Sequence, residues 1–217
     1  MALIHQAELR PSKIELLEEW APTQAWFEGS TGARLTSVAS FRFDDPEGEV
    51  GIETILVRAG DGPAMQIPLT YRGAPLEGGE AWLIGSMQHS VLGPRWVYDA
   101  AGDPAYLAAV AAAALTGGGQ AEQYVTKDGE LVRREPTAVI FGSGKQGTPV
   151  PSLPSVGARS TRHVPGATVV EAGDIRILIV RVPSRESNDD AALGVITGAW
   201  TDQPEPQTLV IVQVLAN

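Results

Sequence analysis

The sequence predicts an α+β fold, in which an antiparallel β-sheet packs with two main helices and is followed by a smaller β-rich unit. Short turn sequences separate several β-rich runs in the first half of the chain, which is typical of antiparallel meanders. Two other segments carry helix start signals. The 217 residues, 43% of them hydrophobic, are enough to bury a sizeable core.

The N-terminal segment predicts a strand followed by a short helix. Residues 2–9, ALIHQAEL, alternate between apolar and polar side chains as a half-buried strand does. Ser12 then caps a helix, because Glu15 stands three residues later and completes a capping box. An apolar stripe on this helix must pack on a sheet; it consists of Ile14, Leu17, Trp20 and Ala21.

Five further β-rich runs predict the strands of that sheet. They cover residues 33–43, 50–59, 64–72, 81–91 and 94–100. The first four are separated by DDPEGE, GDGP and GAPLEGGE, which are turn sequences. In the last run, alternation predicts that Trp96 and Tyr98 pack on one side with the first helix as a neighbour. His89 and Arg95 are then expected on a polar face.

The second helix is predicted at residues 103–115, where Asp103 caps, Pro104 occupies the first helical position and the glycines 117–119 end the helix. A first domain is therefore predicted over residues 1–120 and a β-rich unit over 121–217. Within that unit we expect a strand at 136–144, a flexible linker at 145–160, a hairpin at 167–183, a weak helix at 189–200 and a final strand at 207–216.

Composition excludes several classes of function. The net charge is −10, with 26 acidic against 16 basic residues, which disfavours nucleic acid and anionic membranes as partners. Cysteine is absent, so disulfides, thiolate metal sites and a cysteine nucleophile are excluded. The N-terminus does not resemble a signal peptide, and the longest apolar stretch, 106–115, is too short for a bilayer. A cytoplasmic location is the resulting prediction.

Two catalytic patterns are disfavoured by spacing. Ser86, His89 and Asp99 could supply a nucleophile, a base and an orienting carboxylate, but residues 86 and 89 of one strand point to opposite faces. The segment GSGKQGT at 142–148 begins like a phosphate-binding loop. Its lysine comes too early and a proline-rich stretch follows, so a flexible turn is the preferred interpretation.

No metal site is predicted. The three histidines, His5, His89 and His163, lack the spacing that brings ligands to one helix face. Four acids could converge on a cation as a minor alternative, although no oxygen-ligand loop pattern is present. These acids are Asp44, Asp45, Glu49 and Glu53.

Several ordered motifs in the first 120 residues resemble the N-terminal cap domain of actinobacterial maltokinases. They include LLEEWAPTQAWF, FDDPEGEVGIETILVR, the run from IPLTYRG to GPRWVYDA, and DPAYLAAVAAAALTGGG. The resemblance implies a curved antiparallel sheet packed with helices. In that family the cap sits on the N-lobe of a kinase-like enzyme that phosphorylates maltose with ATP and Mg²⁺, and the cap is not known to carry the residues of phosphoryl transfer.

The last 51 residues, 167–217, look like a reduced version of that kinase N-lobe. At the position where the family has a lysine for the ATP phosphates, this chain is apolar, and Arg181 is the nearest cation. No histidine is followed two residues later by aspartate, as a kinase catalytic loop requires. We therefore expect a stand-alone member without the kinase C-lobe, with no catalytic residues and no cofactor.

Two functions remain open. The first is a non-catalytic interaction or regulatory module of actinobacterial sugar or glycan metabolism, whose partner is a kinase, another sugar-metabolism enzyme or a second copy of the chain. The alternative is a carbohydrate-binding or carbohydrate-acting protein, because aromatic faces suit sugar rings and charged groups suit hydroxyls. Its pocket would use Tyr71, Arg72, His89, Arg95, Trp96 and Asp99.

Overall fold

A computed structural model confirms the α+β class. It describes residues 2–4, 7–30, 32–127, 129–153, 159–184 and 191–215. Most strand pairs in this part of the chain are antiparallel. Two six-stranded sheets dominate the fold, and a smaller three-stranded sheet accompanies them.

The first sheet contains all five of the strands predicted between residues 33 and 100. Its members are β2 (Leu9–Arg10), β3 (Leu35–Phe43), β4 (Gly51–Ala59), β5 (Met65–Arg72), β6 (Leu83–His89) and β7 (Gly93–Asp99). Their order is β2-β6-β7-β5-β4-β3, so β7 lies next to β5 and β6 lies outside it. The β5–β7 pair and the β2–β6 pair therefore depart from a simple meander. The sheet curls into a half-barrel.

Helix α1 (Lys13–Trp20) covers one face of the first sheet. The predicted capping box is present, because Ser12 Oγ accepts the amide of Glu15 and the Glu15 carboxylate accepts the amide of Ser12. Leu16 and Leu17 are buried in a core cluster that also contains Val97. The prediction that Trp96 and Tyr98 face this helix is therefore wrong, because Val97, which alternates with them, is the residue on its side.

Helix α2 (Pro104–Thr116) lies in the core between the two large sheets. Asp103 caps it, Pro104 occupies its first position, and Gly117 ends it in the left-handed conformation at φ 76°. It packs against β3 and against strands of the second sheet. A helix that is apolar on all sides can be buried in this way. The core residues contributed by α2 are Tyr106, Leu107, Ala109, Val110, Ala111, Ala113, Ala114 and Leu115.

The second sheet is built from the C-terminal part of the chain. Its strands are β10 (Ala138–Gly142), β11 (Arg159–Val164), β12 (Ala167–Ala172), β13 (Ile175–Ser184), β14 (Ala192–Trp200) and β15 (Gln203–Val214). Their order is β10-β14-β15-β13-β12-β11. The predicted strand at 136–144, the hairpin at 167–183 and the final strand are confirmed.

The weak helix predicted at 189–200 is wrong, because Ala192–Trp200 is strand β14. Gly194 explains the difference: a Cβ there would lie 2.5 Å from the carbonyl oxygen of Ala114, so the strand can approach helix α2 only without a side chain. Residues 189 and 190 lie outside the described residues. The β-branched Val195, Ile196 and Thr197 favour the extended conformation.

The third sheet has the order β1-β8-β9 and was not predicted. It consists of β1 (Ala2–Ile4), β8 (Gln123–Lys127) and β9 (Glu130–Arg133), with β1 parallel to β8. The single strand predicted at 2–9 is thus two short strands in different sheets, β1 and β2. Residues 5 and 6, including the histidine considered as a ligand, lie outside the described residues.

The predicted linker at 145–160 is only partly irregular. Residues 145–153 have no helix or strand, and Leu153 packs against the core that surrounds α2. Arg159 already begins strand β11, so the linker prediction is wrong at its end. Residues 154–158 lie outside the described residues. The predicted boundary near residue 120 follows a helix whose core both large sheets share.

Candidate functional site

A cleft of about 630 Å³ opens on the side of the first sheet that carries helix α1. It is bounded by the N-terminal end of α1, by the loop 44–50, and by residues of strands β3 to β7. The side chains that line it combine charged groups with apolar walls. They come from Ala7, Leu9, Lys13, Arg42, Phe43, Asp44, Asp45, Glu49, Val50, Ile52, Tyr71, Met87, His89, Leu92 and Arg95.

Glu53 forms the centre of a charged network beside this cleft. Its Oε2 atom accepts hydrogen bonds from Lys13 Nζ, from Arg42 Nη2 at 3.2 Å and from the hydroxyl of Tyr71 at 2.9 Å. The carboxylate is 8% exposed, whereas the side chains of Lys13 and Arg42 keep 26% and 19% of their exposure. The buried anion is therefore compensated by cations that still reach the cleft.

The network changes the titration of both acidic groups in it. Burial raises the pKa of Glu53, but the charges of Arg42 and Lys13 and the hydrogen bonds from Lys13 and Tyr71 outweigh burial and leave that pKa below 4.5. Burial, together with the neighbouring Glu53 carboxylate, raises the pKa of Tyr71 well above 10. At neutral pH the network thus contains a carboxylate anion and a neutral phenol.

Two other predicted site residues line the same cleft. Nδ1 of His89 accepts the backbone amides of Val91 and Leu92 at 3.2 and 3.1 Å, so this ring orders the turn between β6 and β7. Arg95 Nη1 donates to the carbonyl oxygen of Pro94 at 2.8 Å. The structure therefore brings Tyr71, His89 and Arg95 to one cleft, since all three lie on the α1 side of their strands.

The other three predicted site residues lie outside the cleft. Arg72 points to the opposite side of the sheet, where it forms a bidentate pair with Asp103 at 2.7 Å for both hydrogen bonds. Asp103 is buried, also accepts a hydrogen bond from Thr70 and caps helix α2. Trp96 alternates with Arg95 along β7 and is the register partner of Arg72, so it lies on the Arg72 side.

Asp99 is buried and bound by a cation of the second sheet. Arg181 Nη2 donates to both carboxylate oxygens at 2.9 and 2.7 Å, and its Nε donates to Thr168 at 2.9 Å. The guanidinium also lies over the Trp26 ring, 4.9 Å from its centroid. With Arg72, Thr70 and Asp103, these groups form the junction, the set of polar contacts that joins the first sheet to helix α2 and the second sheet.

The junction bears directly on two patterns considered in the sequence. Arg181, the cation nearest to the expected phosphate-binding lysine, has no exposed surface and holds Asp99, so it does not present its charge to a phosphate. Asp99 is also committed to Arg181 and cannot orient His89 in a triad with Ser86. Nearby, burial and the charge of Arg181 lower the pKa of His163 below 6.5.

The segment that begins like a phosphate-binding loop instead completes the end of helix α2. The amides of Gly144 and Lys145 donate to the carbonyl oxygens of Ala114 and Leu115 at 2.9 and 3.0 Å. A Cβ at Gly142 would lie 1.9 Å from the carbonyl oxygen of Ala113. The glycines therefore serve close backbone packing, and the amides that would bind phosphate are already bonded.

Two of the four acids weighed as cation ligands are committed to the fold. Asp45 accepts the backbone amides of Glu47, Glu49 and Val50 and so orders the loop 44–50. Glu53 binds Lys13 and Arg42. Within the described ranges, no group of three or more His, Cys, Asp or Glu side chains is arranged to hold a metal ion.

Sequence reasoning missed Lys13 and Arg42 altogether and assigned Glu53 only to a minor cation site. Their positions in α1, β3 and β4 are far apart in the sequence, so no local spacing links them. One signal was available for Glu53. It occupies an inward position of strand β4 together with Ile55 and Val57, and a carboxylate in such a position requires compensating donors.

The comparisons with known proteins identify one part of the chain. Residues 20–103 match the family model described as the maltokinase N-terminal cap domain, which confirms the predicted resemblance over less than half of the chain. No curated protein matches the chain at a significant level. In the described part of the chain, no helix has both the length and the apolar character needed to cross a membrane.

Proposed function

From the cap-domain match we propose that this chain is a non-catalytic, cytoplasmic interaction module of actinobacterial sugar or glycan metabolism. One observation carries the non-catalytic part: the groups that could have bound a nucleotide phosphate are used to build the fold. Arg181 holds Asp99, and the amides of Gly144 and Lys145 hold the end of helix α2. The matched family region is the cap and contains no kinase catalytic loop.

An exposed apolar pair on the second sheet supports a protein partner. Val139 and Phe141 on strand β10 are 44% and 60% exposed and lie on one face, since they are two residues apart. Large exposed aromatic side chains are typical anchors of protein interfaces. The partner of this proposal is a kinase or another enzyme of sugar metabolism, and self-association through the same face is a separate outcome of the test.

Two measurements on the purified chain test this proposal. With ATP, Mg²⁺ and maltose we expect no turnover, and ATP turnover that a single point substitution abolishes would overturn the non-catalytic assignment. Cross-linking in actinobacterial extract is expected to capture a sugar kinase or a glycan enzyme with the wild-type chain and not with Phe141→Ser. Sedimentation of the wild-type chain and of the Phe141→Ser variant shows whether either self-associates. Equal capture of the partner by the two proteins would contradict a role for this face.

The cleft favours a second candidate, a carbohydrate-binding function. Its volume of about 630 Å³ admits a small sugar, and its lining combines Tyr71 with charged groups and apolar walls. Stabilisation of the chain by maltose, trehalose or glucosamine in a thermal-shift assay, without ATP, would support this candidate. No shift with any of these neutral or amino sugars would leave the interaction module as the better proposal.

A further inference from the structure

The cleft carries charges of both signs, with its cations and its acids on different elements of the fold. Lys13, Arg42 and Arg95 line it, and the buried carboxylate of Glu53 lies beside Lys13 and Arg42. These are three of the 16 basic residues of a chain whose net charge is −10. Because Lys13 and Arg42 share the single carboxylate of Glu53, this network has one positive charge in excess, and Arg95 adds another cation to the cleft.

Arg95 is the least committed of these cations. Arg95 Nη1 donates a hydrogen bond to the carbonyl oxygen of Pro94, and no acid within the described residues forms an ion pair with Arg95. A guanidinium has five donors in a planar fork that matches a carboxylate or phosphate group. The remaining donors of Arg95 are therefore available to an anion in the cleft.

The loop 44–50 brings three acids to the same cleft, Asp44, Asp45 and Glu49. Glu49 is exposed there on the loop 44–50, which Asp45 holds in place through three backbone amides. A carboxylate accepts hydrogen bonds from hydroxyl groups. The cleft also has apolar walls that suit the carbon face of a ring, supplied by Leu9, Phe43, Met87 and Leu92.

We propose that the cleft binds a small sugar that carries one anionic group, a phosphate or a carboxylate, with the anion at Arg95 and Lys13 and the ring hydroxyls toward Glu49. This inference rests on the carbohydrate-binding candidate and narrows it. A neutral sugar would leave the cationic side unmatched, whereas a nucleic acid or large polyanion would meet the acidic rim and the acidic surface beyond it.

Isothermal titration calorimetry on the full chain tests the proposal with five probes. These are glucose 6-phosphate, glucuronate, glucose, maltose and inorganic phosphate. We expect at least one of the two anionic sugars to bind about tenfold more tightly than glucose, since a charge-assisted hydrogen bond contributes roughly that factor. The pair also distinguishes a phosphate from a carboxylate as the preferred anion. A higher salt concentration is expected to weaken the binding of the anionic sugars and to leave the binding of the neutral sugars unchanged.

One variant and its matched control locate the anion, and a third variant reports on the hydroxyl side. Arg95→Gln should lower the affinity for the anionic sugar about tenfold and leave the affinity for neutral sugars unchanged. Arg58→Gln is the matched control, because Arg58 pairs with Asp202 away from the cleft. Among the described residues Arg95 donates to the carbonyl oxygen of its neighbour Pro94, so its variant should have the melting temperature of the wild type, which circular dichroism will check. Glu49→Ala should weaken both anionic and neutral sugars and so report on the hydroxyl side.

The possible failures are distinguishable. If neutral and anionic sugars bind equally, or if Arg95→Gln binds the anionic sugar like the wild type, the proposed anion site is wrong while carbohydrate binding survives. If inorganic phosphate binds as tightly as glucose 6-phosphate, the site recognises an ion and not a sugar, which overturns the proposal. If none of the five probes binds, the inference and the carbohydrate-binding candidate both fail.

Discussion

The junction and the cleft lie on the same six-stranded sheet and use charge in opposite ways. In the junction, the side chains of Asp99 and Arg181 are at most 2% exposed and bind each other, whereas Arg72, which binds the buried Asp103, is 21% exposed. In the cleft, only Glu53 is comparably buried, and its cations remain partly open to solvent. The Asp99–Arg181 pair is sealed from solvent and serves the architecture, whereas the partly exposed cations of the cleft can still reach a ligand.

The largest effect is expected from the junction. Arg181→Met leaves the Asp99 carboxylate buried without its cation, which should lower the free energy of unfolding by about 4 kcal/mol. Urea denaturation followed by circular dichroism measures this change. The same substitution at Arg58, whose pair with Asp202 is exposed, should cost less than about 1 kcal/mol.

A double variant sharpens this prediction. Adding Asp99→Asn to Arg181→Met removes the buried charge together with its partner, so the double variant should be less destabilised than the two single variants combined. Additive effects would mean that the two side chains act independently. An Arg181→Met protein as stable as the wild type would contradict the view that this pair holds the two sheets together.

The next effect concerns the backbone packing of strand β10 in the second sheet against helix α2. Gly142→Ala places a Cβ 1.9 Å from the carbonyl oxygen of Ala113, so helix α2 or strand β10 must shift, at a cost of about 3 kcal/mol. Gly73→Ala is the control, because its new Cβ would meet only the end of the Arg95 side chain at 3.5 Å. Thermal unfolding compares the two, and equal melting temperatures would show that the contact is easily relieved.

Local signals in the sequence predicted the parts of the fold that local chemistry determines. The Ser12 capping box and the Asp103 and Pro104 start of α2 are confirmed, because helix caps depend on neighbouring residues. The helix predicted at 189–200 failed for a non-local reason. Gly194 is required by the approach of α2, a contact between positions about 80 residues apart that no periodicity reveals.

The cleft was predictable to a similar extent. Strand alternation already separates Tyr71 from Arg72, because consecutive residues of a strand point to opposite faces. It could not show that Arg72 meets Asp103 on the other face. The compensating cations Lys13 and Arg42 come from other elements, and only the fold brings them to Glu53. Spacing within one strand predicts which residues share a face and does not predict what that face meets.

The smallest of the three stability effects belongs to the cleft. Glu53→Gln leaves Lys13 and Arg42 facing each other without a carboxylate, and should lower the free energy of unfolding at pH 7 by about 2 kcal/mol. The value is below that for Arg181→Met because both cations are partly exposed and screened by solvent. Glu47→Gln, in the exposed loop, should change stability by less than about 0.5 kcal/mol.

The pH dependence of Glu53→Gln distinguishes lost charge from lost packing. The pKa of Glu53 is lower in the folded protein than its ordinary value of 4.5, so on acidification the unfolded chain binds this proton first. The contribution of Glu53 is therefore complete above pH 4.5 and disappears as the pH falls through the folded-state pKa. Urea denaturation at pH 7 and at pH 3 should show the gap between wild type and variant narrowing at pH 3. A gap that stays constant would mean that the carboxylate stabilises the cleft by its shape and not by its charge.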